Sequence, residues 1–277
     1  TVSVVGNIDI YGAAVTNNAS LTTTGAGDIT ITASGAYSGS GALNAKGNVV
    51  INAGSSSGTG ALTSGGAGGI AITTSTGSIS IGGNLNATTW TTAPITLKSK
   101  TDISVTASKT ITTAGGNAIF WSRYLAAAGA TTQGSITLNN SATVTTNGGR
   151  IVMAGTTATE GSAGLIPNGY AYTTAASTGG VQLGSSDTAA NLNVILSSGN
   201  GAISIYGQQE TSANAAWGVI IRGGSKIDSG SGTITIDGKT NSNGGNAVDI
   251  ESSATNTVSI LSAATSGTAI SITGTSL

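Results

Sequence analysis

The sequence predicts an all-β protein: a right-handed parallel β-helix (β-solenoid) of roughly 11–13 coils, each of about 20 or more residues, with a few corner-loop insertions. Three observations predict it. The pattern Gly-x-apolar-x-apolar recurs as "GNIDI" (6–10), "GDITI" (27–31), "GNVVI" (47–51) and "GGIAI" (68–72), so that Ile8, Ile29, Val49 and Ile70 are separated by 21, 20 and 21 residues. A second rank, Leu21, Leu43, Leu62 and Leu85, keeps spacings of 22, 19 and 23. Two ranks on nearly one period mark a repeat unit. Third, Ile, Val and Thr fill the motifs, as strands prefer, and no helical periodicity of useful length competes.

Each motif alternates apolar and polar residues over about five positions, the period-two signature of a strand with one buried face. So short a strand cannot bury that face alone. Stacking repeat on repeat makes a column of Ile, Val and Leu, with successive strands paired in parallel at about 4.8 Å, giving a rod on the order of 50–65 Å long. Flanking Gly and Asn are expected at left-handed or bulged turns. A propeller needs blades of ~40 residues and a sandwich needs hairpin turns every ~8–12 residues; the period fits neither.

Residues 1–114 read as the more regular coils. Later motifs, "GSISI" (77–81), "GSITL" (134–138), "GRIVM" (149–153), "GGVQL" (179–183), "GAISI" (201–205), "GTITI" (232–236) and "NTVSI" (256–260), are spaced more loosely. Residues 115–277 are therefore expected to carry longer loops, with an insertion around 156–178 where Pro167, Tyr170 and Tyr172 interrupt the repeat. The whole of 1–277 is expected to be one β-helix segment. It opens directly in strand-like alternation, "TVSVVGNIDI", without a signal peptide, and "AISITGTSL" stops as abruptly, as in a segment cut from a longer shaft.

Composition narrows the function. Only 7% of the residues are charged and the net charge is −1, against roughly 25% charged in ordinary domains. A nucleic-acid partner would need clustered Lys and Arg, and no apolar run approaches the ~20 residues of a membrane span. Cys and His are both absent, which removes disulfides, thiolate chemistry and the commonest base and metal ligand. The Ca²⁺-binding nonapeptide of other β-helices does not occur. No catalytic residue, cofactor or metal site is expected.

From residue 115 onward the pattern becomes recognisable. "GGNAIFWSRYLAAAGATTQGSITLNNSATVTTNGGRIVMAG", then "GYAYTTAASTGGVQLG", "GNGAISIYGQ" and "WGVIIRGGSKIDSGSGTITIDGKTNSNGGNAVDI", resemble repeats of filamentous-haemagglutinin-like exoproteins, large repetitive bacterial adhesins of the two-partner-secretion type. The first hundred residues share only the general "GDITITA" style. The resemblance implies a right-handed β-helix shaft used in adhesion, biofilm matrix or extracellular fibres, located outside the cell or on the bacterial surface. The amino-terminal secretion domain of that family is not part of this sequence.

The outlying stretch is Phe120 to Tyr124, where the chain's only Phe, a Trp, an Arg and a Tyr fall within five positions. Aligning "GGNAIFW" (115–121) with "GGNAVDI" (244–250) and "SGTAISI" (266–272) places Ile119 and Trp121 inward and Phe120 outward. Phe120, Arg123 and Tyr124, with Tyr170 and Tyr172 in the insertion, then form a candidate surface platform for a sugar or a neighbouring molecule. Trp90, shortly before Pro94, marks a corner, and Trp217 stands just before a strand; both are expected to pack under loops. Asp249 and Glu251 alternate with Val248 and Ile250 and should face solvent, while Asp228 and Asp237 could approach across one coil. The Thr runs in "LTTTG" (21–25), "ITTAGG" (111–116) and "VTTNGG" (144–149) raise an ice-binding alternative.

The sequence thus points to a non-catalytic structural or adhesive shaft. Its expected partners are flanking coils of the same chain, or like copies stacked end to end into a filament. Surface glycans or matrix polysaccharide come next, with neither nucleic acid nor membrane insertion. A carbohydrate-binding or polysaccharide-degrading β-helix is a weaker alternative, because ten acids are scattered from Asp9 to Glu251 without an evident basic partner.

Overall fold

Ile, Val and Leu at alternate positions must leave water together, and the chain achieves this by winding. The computed structural model describes residues 1–124, 126, 133–156, 166–175, 178–185, 193–210, 216–241, 245–253 and 255–277. Its strands form three sheets of ten, eleven and nine members, visited in turn, so that each circuit adds one strand to each sheet. Every strand pairing is parallel, for example Val2–Val4 on Leu21–Thr23 and Ile8–Gly12 on Ile29–Ala33. This is a parallel β-helix, as predicted.

Both sequence ranks are columns, but in different sheets. Ile8, Ile29, Val49 and Ile70 are register partners in the second sheet; Leu21, Leu43, Leu62 and Leu85 are register partners in the first. From rung two onward these side chains are buried, each contributing roughly 1.5–3 kcal/mol relative to exposure. The first rung is half-exposed at Ile8 and Ile10, and the last exposes Ile270 and Ile272, because neither has a rung beyond it in the described chain.

The coil count needs correction. The second sheet's main path has ten strands, so there are ten rungs, spanning about 43 Å at the usual strand spacing, and the tenth supplies strands to the first two sheets only. Counting motifs overestimated the coils because one motif serves all three sheets. "GSISI", "GSITL" and "GGVQL" supply third-sheet strands, and "NTVSI" supplies a first-sheet one. The rungs are also unequal. Their starting residues in the second sheet are Ile8, Ile29, Val49, Ile70, Ile95, Ala118, Ile151, Ile203, Ile234 and Ile270, so coils grow from about 20 residues to 52 between Ile151 and Ile203.

The motif glycine has a different reason from the expected one. Gly27, Gly149, Gly201 and Gly232 are not among the residues with positive φ. A Cβ on any of them would fall 2.0–2.2 Å from the carbonyl oxygen of the equivalent glycine one rung earlier. Glycine is there because successive rungs approach too closely for a side chain. Three residues before the glycine, a buried hydroxyl closes the same corner. Thr113, Thr146, Ser198 and Ser229 donate to the carbonyls of Gly116, Gly149, Gly201 and Gly232 at 2.5, 2.5, 2.5 and 2.6 Å. In this way each of these four circuits satisfies a carbonyl that would otherwise be buried without a partner. Thr113 and Thr146, in the runs considered for ice, therefore point inward; each run keeps an outward Thr, Thr112 or Thr145.

Beside the glycines, amide and carboxylate side chains bridge rungs. Asp28 N donates to Asn7 Oδ1, Asn48 N to Asp28 Oδ1 and Gly68 N to Asn48 Oδ1, at 3.0, 2.6 and 2.7 Å. A stack of neutral or singly charged acceptors avoids the repulsion that identical charges would meet at this spacing.

Candidate functional site

The outer face of the second sheet changes character at the fifth rung. In the early coils its outward positions are mostly small or polar, such as Thr30, Thr32 and Asn52. From there on they become Lys98, Trp121, Ala154, Tyr206 and Asp237, on successive strands of one ladder and large or charged at all but Ala154. Strand Ala118–Ser122 pairs with Ile95–Lys98 in the register Ile95–Ala118 and Leu97–Phe120. Ile95 and Leu97 face the core, so Ala118 and Phe120 do too, and Ile119 and Trp121 lie over Thr96 and Lys98.

This corrects the expected orientation. Phe120 is 1% exposed and belongs to the main core, while Trp121 points away from it. "AIFW" is apolar at all four positions and carries no alternation of its own; the rung beneath sets its parity, and a one-residue slip exchanges the faces. Trp121 nevertheless stays buried, in a small outer cluster with Ile119 and Tyr124. Tyr124 folds back to meet it edge-on, with ring centroids 5.0 Å apart. Lys98 Nζ stands 5.6 Å from the Trp121 ring centroid and 5.0 Å from that of Tyr124, within the range of cation–π attraction.

Arg123 makes the turn between them in a left-handed conformation, φ 55°, which is uncommon for a long side chain. Its guanidinium carbon lies 4.6 Å from the Tyr172 ring centroid. Tyr172 is held from both sides: its backbone exchanges hydrogen bonds with Gly134 at 2.8 and 2.9 Å, and its hydroxyl donates to Glu210 Oε2 at 2.6 Å. Gly134 is a glycine for a local reason, since a Cβ there would run into Cγ of Arg123. Two residues away, Tyr170 donates to Asp237 Oδ2 at 2.6 Å, meets Tyr206 edge-on at 6.0 Å and carries Lys239 Nζ 4.2 Å from its ring centroid.

Tyr170 and Tyr172 arrive here through an interrupted strand. Ile151, Val152 and Met153 pair with Ile203, Ser204 and Ile205; Ala171, Tyr172 and Thr173 then pair with Gly207, Gln208 and Gln209. Only Tyr206 separates the two sets, and opposite it stands Ala154, so the chain leaves after Ala154 and returns at Ala171 without changing register. Gly155 and Gly169 close the neck through an antiparallel bridge with an N–O distance of 3.0 Å. A Cβ at either would strike backbone oxygen at 2.4 Å. Of the insertion expected around 156–178, residues 157–165 and 176–177 lie outside the described residues.

Burial sets the electrostatics. It pushes the Tyr172 hydroxyl up to about 12, with the hydrogen bond to Glu210 adding to it. Tyr170 is raised still further, by burial first and then by Asp237. Desolvation lowers Arg123, opposed by its attraction to Tyr172 and Glu210, though an arginine remains charged throughout.

The structure therefore assembles Arg123, Tyr124, Tyr170 and Tyr172 in one region and sends Phe120 elsewhere. Arg123, Tyr124 and Tyr172 are 4%, 6% and 2% exposed, so they are not the open platform expected of them; Tyr170 is half-buried. Lys98, Tyr206, Glu210 and Lys239 belong to the same cluster and escaped the sequence reading. For Lys98 and Tyr206 the signal is the outward position that follows the second apolar residue of the motif, read down the ladder; Glu210 and Lys239 lie further along the chain and join through strand register.

The remaining candidates separate. Glu251 pairs with Arg222 Nε at 3.1 Å, and Asp228 with Lys226 Nζ at 3.1 Å. Asp237 holds Tyr170 instead of meeting Asp228. Trp217 begins its strand, 5.6 Å from the Arg222 guanidinium carbon, and Trp90 stands in its corner half-exposed, not packed under a loop. Among the described residues no three His, Cys, Asp or Glu side chains gather as a metal site would require. No family model matches the chain, and neither does any curated protein or solved structure.

Proposed function

We propose that this chain is a shaft: a structural and adhesive segment of a bacterial secreted or cell-surface protein, acting in adhesion, biofilm matrix or an extracellular fibre. The observation that carries the reading is the parallel stacking of three sheets, two of them continuous over ten rungs and the third over nine. Nearest-neighbour stacking of this kind makes length without a large globular core, and so holds one end of a molecule away from the other. The resemblance of residues 115–277 to filamentous-haemagglutinin-like repeats supports the same reading. Small-angle scattering and protease challenge of the isolated chain test it, together with adhesion of chain-coated beads to glycan-bearing surfaces. An elongated, protease-resistant particle whose beads adhere is expected. A compact particle removes the shaft, and release of new reducing or unsaturated ends from acidic polysaccharides replaces it with an enzyme.

A specific observation favours self-assembly as a second reading. The first second-sheet strand reads "IDIYG" and the last "ISITG", and internal neighbours with this pattern, "ISIYG" and "ITIDG", pair Ile to Ile and Gly to Gly. A second copy placed head to tail continues the first and second sheets in that register. Light scattering over a concentration series is expected to show growing particles; a strictly monomeric rod retires this reading and leaves the shaft intact.

A further inference from the structure

Among the described residues, Arg123 carries two buried guanidinium donors that the fold leaves without a hydrogen bond. Its side chain is 4% exposed, yet Nε and Nη2 have no hydrogen-bond partner. Buried arginines are ordinarily paired, because taking a charge out of water is costly without compensation. These two atoms are not an arbitrary pair. They form the side-on edge of the guanidinium, the edge that donates parallel hydrogen bonds to both oxygens of one carboxylate.

The surroundings fix that edge in place. Tyr172 covers one face of the guanidinium, Gly134 presses on the side-chain stem, and the backbone holds a left-handed φ. Strained backbone of this kind persists where the structure around it imposes it, and it gathers at binding sites. Glu210, whose charge acts on Arg123 from within the same network, accepts the Tyr172 hydroxyl through Oε2. On the same face, Trp121 Nε1 is a further buried donor without a partner. The region thus offers unmet donors, and the chemistry that satisfies them is that of an acceptor-rich anion.

We propose that Arg123 is the anchor of a carboxylate-binding site on the outer face of the second sheet, taking one carboxylate through Nε and Nη2, with Tyr172 as the positioning residue beneath it. The ligand class is a small carboxylated molecule, either an acidic sugar or a simple organic acid, which share this group. The proposal rests on the cluster alone, so it stands or falls separately from the shaft.

The test follows thermal unfolding of the whole chain at constant ionic strength, with sodium chloride replaced by sodium acetate, sodium glucuronate or sodium sulfate. A saturable rise in Tm with acetate or glucuronate is expected, reaching roughly 4–5 °C at about a hundred times the dissociation constant. A rise with both says that the carboxylate suffices; a rise with glucuronate alone says that the sugar ring contributes. Arg123→Met keeps the stem and is expected to fold and to lose the anion dependence, while Tyr172→Phe keeps the ring and weakens it. Should Arg123→Met fail to fold, the Nε–H resonance of Arg123 in the wild-type chain replaces it as the readout, and is expected to shift on titration with acetate. No saturable rise with either carboxylate, a rise with sulfate only, the same rise in Arg123→Met, or an unmoved Nε–H resonance overturns the proposal.

Discussion

A methyl group added at Gly149 would lie 2.1 Å from the Gly116 carbonyl oxygen, whereas one added at Gly6 meets nothing within 4 Å. The two glycines hold the same motif position; only the rung beneath differs. Gly149→Ala is therefore expected to cost about 1–3 kcal/mol as an overpacked contact and Gly6→Ala less than about 0.5, read from chemical unfolding of the two variants. Tyr172 offers a second check. Its hydroxyl ionises at about 12 in the folded chain against an ordinary value of 10.0. A folded value above the unfolded one means that the neutral phenol favours folding; the contribution is complete below pH 10 and disappears as pH rises towards 12. Stability should accordingly fall over that window, and Tyr172→Phe should flatten the fall while the Tyr170 contribution remains.

Strand by strand, the early half was legible because its alternation is clean: "ITITA" and "IAITT" show the period without help, and Ile29, Ile31, Ile70 and Ile72 are all buried. Which sheet a motif joins was not legible, since first-, second- and third-sheet strands use the same residues and differ only in what lies beneath. The candidate site was half visible. Arg123, Tyr124, Tyr170 and Tyr172 stand out by residue type, but Glu210 and Lys239 meet them through ladder register across long sequence separations. The interrupted strand yields a sharp expectation. Deleting 155–170 and joining Ala154 to Ala171 should leave a continuous strand facing Ile203–Gln209, so far-UV circular dichroism should be retained and cooperative unfolding should survive. Deleting the eight residues 151–158 instead removes strand Ile151–Gly155 and should collapse both.

For the molecule as a whole, the direction of the hydrogen bonds matters more than their number. They run from rung to rung, along the axis of the coil, so tension applied at the two chain ends loads one circuit at a time. Each circuit that lets go pays out its own slack. The 20- and 21-residue turns should release roughly 65–75 Å apiece, and the 52-residue turn between Ile151 and Ile203 roughly 170–190 Å. Optical-tweezer extension traces should therefore show unequal steps, and uniform steps would contradict the winding. Unequal turns give such a molecule the behaviour of a graded cable: short loops at one end that yield little at a time, and a long reserve further along that gives way in a single stride and absorbs a sudden pull.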